Sequence, residues 1–215
     1  MFLLLAALAG FIVALLRGGT LRDLASLPIR GRGAILIALL MQVPIVYLPA
    51  EKASDHLNLE RGLLLLSYLL ILVIVWINRR LPGFQAIVLG FLLNLTVMMA
   101  NGGYMPIQPR VLESFGHQHM AIKMESGYRV LHSKDILLTR EETRLWILSD
   151  IMAFDLPILP PMACSPGDVL IAIGAFVFIQ SAMLPSRKTR SVASLPHTLP
   201  SAQADSRSSE HDVKG

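Results

Sequence analysis

Hydrophobic positions in this chain fall into long unbroken runs, without the alternation typical of half-buried strands. Five such runs contain almost no charged residue, the exception being Asp168 at the start of the last run. They cover residues 2–16, 33–49, 62–77, 84–100 and 167–184, and each holds 15 to 18 residues. This length is close to the ~17–25 residues that a helix needs to cross the hydrocarbon core of a bilayer.

The runs predict helices, because only helices and closed barrels satisfy the backbone in lipid and barrels require period-2 alternation. Five buried core helices would need more amphipathic sequence around them than this chain of 215 residues offers. We therefore predict an all-α membrane protein with a five-helix transmembrane bundle. The first run lacks a positively charged start and a cleavage site, so we expect a retained span in place of a signal peptide.

Residues 101–166 form the one long connection, which we place on the outer face. Within it, Thr139 and Glu142 have the spacing of a capping box, and Leu145, Leu148 and Met152 follow on one helical stripe. The pattern predicts a short amphipathic helix over residues 140–154. Such a helix either lies at the membrane interface or packs as a lid over the mouth of the bundle.

Composition and charge add an orientation. Only 16% of residues are charged, against about 25% in soluble domains. The net charge of +4 is spread unevenly along the chain, and nine basic residues near span ends fall on one side against three on the other. The nine are Arg17, Arg22, Arg30, Arg32, Arg79, Arg80, Arg187, Lys188 and Arg190, and the three are Lys52, Arg61 and Arg110. The positive-inside rule then predicts an outer N-terminus and a cytoplasmic C-terminus, and the basic excess indicates this orientation in place of nucleic-acid binding. Residues 185–215, rich in Ser and Pro, predict a disordered cytoplasmic tail.

Three short motifs carry a resemblance. They are Asn101-Gly102-Gly103-Tyr104-Met105-Pro106, then Thr143-Arg144-Leu145 followed by Asp150, and Ser165-Pro166-Gly167-Asp168. On these motifs, residues 1–184 resemble an uncharacterised family of small bacterial polytopic membrane proteins, catalogued as a domain of unknown function. The resemblance implies a multi-pass protein of a bacterial plasma membrane and no particular activity.

Three amides lie inside the apolar runs, namely Gln42, Asn94 and Gln180. Buried amides in membrane helices usually hydrogen-bond to neighbouring helices and hold a bundle together, which is the interpretation we favour. The alternative is a polar pathway for a substrate. Asp168 has its own local explanation, because Ser165 is a candidate N-cap and Asp168 sits at the third helical position.

The outer-face acids Asp150, Asp155 and Asp168 are the sharpest candidates for chemistry. If residues 140–154 fold back on the last span, the three carboxylates would meet, where they could hold a cation or do acid–base work on a lipid head group. Arg144 could pair with one of them or with a phosphate. Together with Asn101, we take Asp150, Asp168 and Arg144 as candidate binding residues.

Metal and thiol chemistry receive little support. His117 and His119 would converge only on a strand, whereas Glu113 and His117 would converge only on a helix, so we predict no metal site. Cys164 is the only cysteine, which excludes a disulfide within the chain. We expect no cofactor.

The sequence therefore favours a binding, accessory or scaffold protein whose outer loop meets a protein partner or a lipid head group of the surrounding bilayer. One alternative is a small transporter or channel-like protein that uses the intramembrane amides. Another is a membrane enzyme that acts on lipid head groups at the outer surface. The missing catalytic motifs favour a role other than catalysis.

Overall fold

The computed structural model describes residues 2–25, 29–47, 59–114, 126–130, 133–154 and 162–184. The described chain is mostly helical, and each predicted apolar run coincides with a helix. The helices are α1 (Phe2–Leu16), α2 (Leu21–Ala25), α3 (Arg32–Tyr47), α4 (Leu59–Ile77), α5 (Phe84–Ala100), α6 (Pro109–Ser114) and α7 (Pro166–Met183). The predicted tail at 185–215 lies outside the described residues.

Two of these helices, α4 and α7, are long and apolar enough to cross a membrane. The helices α1 and α5 and the Arg32–Val43 part of α3 are apolar but shorter. Helix α4 begins three residues earlier than predicted and so includes Glu60 and Arg61 in its first turn. The positions of the helices are thus confirmed, while a five-span bundle stays a prediction.

Local sequence explains where helices α5 and α7 end and begin. Gly102 and Gly103 both have positive φ, 78° and 97°, and the Gly103 N–H donates to Met98 O at 2.7 Å, which ends α5. At α7, Ser165 is the N-cap, Pro166 is the first helical residue and Asp168 completes a capping box. The predicted local role of Asp168 is therefore confirmed.

The helices pack in a chain of neighbours. Helix α7 packs against α1 and α5, and α4 packs against α3 and α5. The α5–α7 contact depends on glycine, because a Cβ added at Gly167 would lie 2.7 Å from Asn94 Cγ and 2.8 Å from Gly90 O. The two helix backbones can therefore come this close only without side chains at that point.

The connection between α5 and α7 contains strands, which corrects the all-α prediction for this region. Strand β1 (Met105–Ile107) pairs in parallel with β2 (Asp135–Leu137), and β3 (Met152–Phe154) pairs antiparallel with β4 (Met162–Cys164). We call the described part of residues 101–165 the cap. Its strands are only three residues long, too short for the sequence pattern to distinguish them from loop.

The predicted amphipathic helix over residues 140–154 is wrong. Thr139 and Glu142 do make the capping contacts, with the Thr139 N–H donating to Glu142 Oε2 at 3.0 Å, but the turn that they start is not extended into a helix. Leu145 then takes a left-handed conformation at φ 57°, and a 3₁₀ turn covers Trp146–Leu148. Asp150 N–H donates to Pro106 O at 3.0 Å, so pairing with the β1 strand wins over helix propensity.

The cap packs onto the helix ends. Tyr104 is almost fully buried against Leu64 of α4 and Val97 and Met98 of α5. The Phe154 ring of β3 stacks on Phe2 of α1, with centroids 5.5 Å apart. These contacts place the cap against the helix ends.

Candidate functional site

Asn94 joins α5 to the first turn of α7 through side-chain hydrogen bonds. Its Nδ2 donates to Asp168 Oδ1 at 2.9 Å, and its Oδ1 accepts from Ser165 Oγ at 3.0 Å. The second oxygen of Asp168 accepts from the Ser165 N–H at 3.1 Å. Both carboxylate oxygens of Asp168 are thus hydrogen-bonded, which stabilises a charge next to the helix N-terminus.

Asp150 differs from Asp168 in its hydrogen bonding. It is only 6% exposed, and its Oδ1 has no hydrogen-bond partner among the described residues. Burial raises the pKa of Asp150 well above its ordinary value, and the carboxylates of Asp135 and Asp168 raise it further. Asp150 is therefore under the electrostatic influence of both Asp135 and Asp168.

Asp135 is the second acid in the neighbourhood of Asp150 and is partly buried. Burial raises the pKa of Asp135, whereas a hydrogen bond from the Ser133 hydroxyl and the charge of Lys134 act in the opposite direction. Its position is set by β2, where Asp135 lies opposite Met105 of β1. We call Lys134, Asp135, Asp150 and Asp168 the buried charge cluster.

Lys134 supplies the positive charge of this cluster. Its Nζ donates to Gln42 Oε1 of α3 at 2.8 Å and lies 3.4 Å from Tyr68 Oη of α4. Burial opposes its charge, but the Tyr68 oxygen and the carboxylates of Asp135 and Asp168 raise the pKa of Lys134 overall. Lys134 thereby fastens the cap to two helices.

The three amides of the apolar helices, Gln42, Asn94 and Gln180, all have protein partners. Gln42 Nε2 also donates to Ser67 Oγ at 2.9 Å, so it joins α3 to α4. Gln180 of α7 accepts from Arg17 Nη1 at 2.7 Å and donates to Gly10 O of α1 at 2.6 Å. Together with the Asn94 bonds, these contacts fit the interpretation that the amides hold helices together.

A second buried group lies at the first turn of α4. Arg129 Nη1 pairs with Glu60 Oε2 at 2.8 Å, and the guanidinium groups of Arg61 and Arg129 lie 5.3 Å and 5.6 Å from the centre of the Tyr104 ring. Cation–π contacts of this kind stabilise buried guanidinium groups. Sequence reasoning missed this group, since Glu60 and Arg129 are 69 residues apart.

Two of the predicted binding residues have a different role. Asn101 Oδ1 accepts from the Arg144 N–H and its Nδ2 donates to Arg144 O, each at 2.8 Å. Asn101 therefore binds Arg144 through the backbone, and the Arg144 side chain is exposed outside the buried charge cluster. Asp155, His117 and His119 lie outside the described residues.

Cys164 is the only cysteine of the chain, and its thiol is buried. Burial raises the pKa of the Cys164 thiol to about 12, so little of it is the reactive thiolate at neutral pH. Among the described residues, no group of three or more His, Cys, Asp or Glu side chains is arranged to hold a metal.

The cap also has an open cleft of about 600 Å³ on its surface. Its lining includes Gln108, Arg110, Thr139, Arg140, Glu141 and Trp146. The Arg140 guanidinium stacks over the Trp146 ring at 3.9 Å from the centroid. This combination of aromatic and guanidinium groups was not predicted, because Arg110 and Arg140 meet only through the cap fold.

These features define a mostly helical protein with two helices able to cross a membrane and an ordered cap on one end. Residues 26–180 match the model of a family of unknown function, DUF5317, and the chain belongs to that family. The predicted resemblance to a family of unknown function is thus confirmed. An uncharacterized protein of Thermotoga maritima is 29% identical over 133 residues, which are 60% of this chain and 67% of that protein. No solved structure matches the chain.

Proposed function

We propose that this chain is a multi-pass membrane protein with its N-terminus outside, and that its cap is a binding module on the outer face. The observation that best supports this proposal is that all five long helices expose large apolar side chains. Examples are Leu4, Leu39, Leu66, Leu92 and Phe176. A soluble monomer rarely exposes apolar surface on this scale, whereas lipid would cover it.

The distribution of charge supports the same orientation. The end of the helices opposite the cap carries the exposed residues Arg22, Arg32, Arg79 and Arg80. Basic residues flanking spans favour the cytoplasmic side, which leaves the cap outside. The binding role rests on the cleft in the cap, since the cap is held to the helix ends and presents a formed surface to a ligand.

The other two functions receive less support. A transporter or channel needs polar groups that face a pathway, yet Gln42, Asn94 and Gln180 bond to neighbouring helices or to the cap. A head-group enzyme needs an acid that reaches its substrate, and Asp150 is buried. The buried charge cluster is therefore better explained as part of the attachment of the cap.

Cysteine labelling tests the proposed topology. Glu113 of the cap and Arg80 at the opposite end are both exposed, and the buried native Cys164 contributes little background. In intact cells we expect a membrane-impermeant maleimide to label Glu113→Cys but not Arg80→Cys. After permeabilisation both should react, while the wild type should stay nearly unlabelled. Equal labelling of both variants in intact cells, or recovery of the protein in the soluble fraction, would overturn the proposal.

A further inference from the structure

The turn at Leu145–Ile147 lies at the level where helix α5 ends. Asn101 is the residue after α5, and it holds the backbone of Arg144 through the two 2.8 Å hydrogen bonds. The 3₁₀ turn that follows contacts both α5 and α7. In a protein whose helices cross the bilayer, this turn sits at the boundary between hydrocarbon and head groups.

The side chains of this turn suit such a boundary. Leu145 and Ile147 are 49% and 59% exposed, although both are large and apolar. Trp146 lies between them, half-buried, and lines the cleft. Tryptophan is enriched at membrane interfaces, where the ring contacts the head-group level.

In contrast to the apolar turn, the polar wall of the cleft carries charged side chains. Arg110 and Arg140 contribute two positive charges and Glu141 one negative charge, so these three side chains have a net charge of +1. Stacking on Trp146 holds the Arg140 guanidinium in place. A guanidinium group binds a phosphate through two parallel hydrogen bonds, which an ordered arginine forms with less loss of entropy.

We infer that the cleft binds the phosphodiester head group of an anionic phospholipid from the surrounding outer leaflet. Arg110 and Arg140 contact the phosphate, while Leu145 and Ile147 contact the acyl chains beside Trp146. This inference rests on the proposed membrane placement of the cap. It commits to a lipid because Trp146, which lies between the exposed Leu145 and Ile147, lines the same cleft as Arg110 and Arg140.

Tryptophan fluorescence tests the inference at this one site. The chain has two tryptophans, so Trp76→Phe leaves Trp146 as the only reporter. The variant is placed in phosphatidylcholine nanodiscs of two kinds. One kind contains a small fraction of brominated phosphatidylglycerol, and the other contains the same fraction of brominated phosphatidylcholine; the bromine is on the acyl chains in both. We expect phosphatidylglycerol to quench Trp146 with about threefold higher relative affinity, a preference in the range of exposed ion pairs.

Variants in the same background assign the preference to the cleft. Arg110→Gln and Arg140→Gln should each bring the ratio close to one, and Arg110→Gln does so without changing the group stacked on Trp146. Glu141→Gln should raise the ratio, because it removes from the cleft a negative charge that repels the lipid phosphate. Arg79→Gln is the matched control at the opposite end and should leave the ratio unchanged.

Each remaining outcome has a distinct meaning. If neither brominated lipid quenches Trp146, the membrane placement itself is wrong. If both lipids quench equally, the placement stands and the head-group inference is overturned. If millimolar inorganic phosphate abolishes the preference for phosphatidylglycerol, free phosphate and not lipid is the ligand, which also overturns the inference.

Discussion

At each end of the helices an asparagine side chain holds the backbone of a neighbouring segment, but the surroundings of the two asparagines differ. At the end opposite the cap, Asn78 follows α4 and bonds to the backbone of Arg30, with the Arg30 N–H donating at 3.0 Å and Asn78 Nδ2 donating to Arg30 O at 2.9 Å. At the cap end, Asn101 follows α5 and bonds to Arg144 in the same way. Each asparagine also donates to the carbonyl four residues earlier in its own helix, at 2.8 Å in both cases.

What differs is the location of charge. Near Asn78 the basic side chains of Arg79 and Arg80 are exposed, and the connection between α4 and α5 is short. Near Asn101 a long connection buries Asp150 and Arg129. A short connection can satisfy helix ends with one amide and leave its charges in water. A long connection covers the helix ends and must supply partners for the charges it buries.

The largest loss of stability is expected from adding a side chain at Gly167, where α5 and α7 are in close contact beneath the cap. Gly167→Ala would force a Cβ against Asn94 and the Gly90 carbonyl and so disrupt the Asn94–Ser165–Asp168 network. We expect a loss of about 3 kcal/mol in the free energy of unfolding, at the upper end of overpacking effects. Thermal unfolding of the purified protein in detergent measures it.

Gly62→Ala is the matched control, because a Cβ at Gly62 meets nothing within 4 Å. Since alanine is favoured over glycine in a helix, this variant should be neutral or more stable by up to about 1 kcal/mol. An equal loss in both variants would show that the α5–α7 contact is not the cause.

An intermediate effect separates the two asparagines. Asn78 is 5% exposed, whereas Asn101 is only partly buried, so lost hydrogen bonds are replaced by water more readily at Asn101. We expect Asn78→Ala to cost about 2 kcal/mol and Asn101→Ala about 1 kcal/mol in unfolding free energy. Asn101→Ala should in addition increase hydrogen exchange at the Arg144 amide. If Asn101→Ala is the more damaging variant, burial is not what distinguishes the two ends.

The effect most specific to the buried charges is a pH dependence, which vanishes at acid pH. The pKa of Asp150 is raised in the folded protein, so the folded state binds its proton more tightly than the unfolded state. Its contribution to stability is present below the ordinary carboxyl pKa and is lost as pH rises through the raised value. The melting temperature of Asp150→Asn should therefore equal that of the wild type at acid pH. As pH rises, the variant should become increasingly more stable than the wild type.

Glu142 provides a control of opposite sign in the same cap. Hydrogen bonds from Ser126 and Thr139 lower the pKa of Glu142, so its contribution is present above the ordinary carboxyl pKa and is lost as pH falls through the lowered value. Glu142→Gln should thus be less stable than the wild type near neutral pH and equal to it in acid. Parallel pH trends for both variants would contradict the assigned burial of Asp150.

Contacts between residues close together in the chain were predicted from the sequence, whereas contacts between distant residues were mostly missed. Ser165 and Asp168 are three residues apart, and their capping box was predicted and found. The approach of Asp150 to Asp168 was a hypothesis that depended on a helix over residues 140–154. These residues form a turn and a strand, and the electrostatic interaction of the two acids comes from the cap fold. Lys134 and Asp135 were missed, because nothing in their short polar segment indicates that β2 will pair with β1 and bring them against α3 and α4.

The sequence by itself determined the five apolar helices and the N-terminal cap of α7, because these depend on backbone preferences and on neighbours within a few residues. It also identified the amides Gln42, Asn94 and Gln180, whose partners lie on other helices or in the cap. Only the tertiary structure decided that residues 140–154 form a turn and a strand, and that Lys134, Asp150 and Asp168 share one neighbourhood. The reason is that pairing with β1 and burial against the helix ends outweigh local helix propensity, and both depend on contacts between distant parts of the chain.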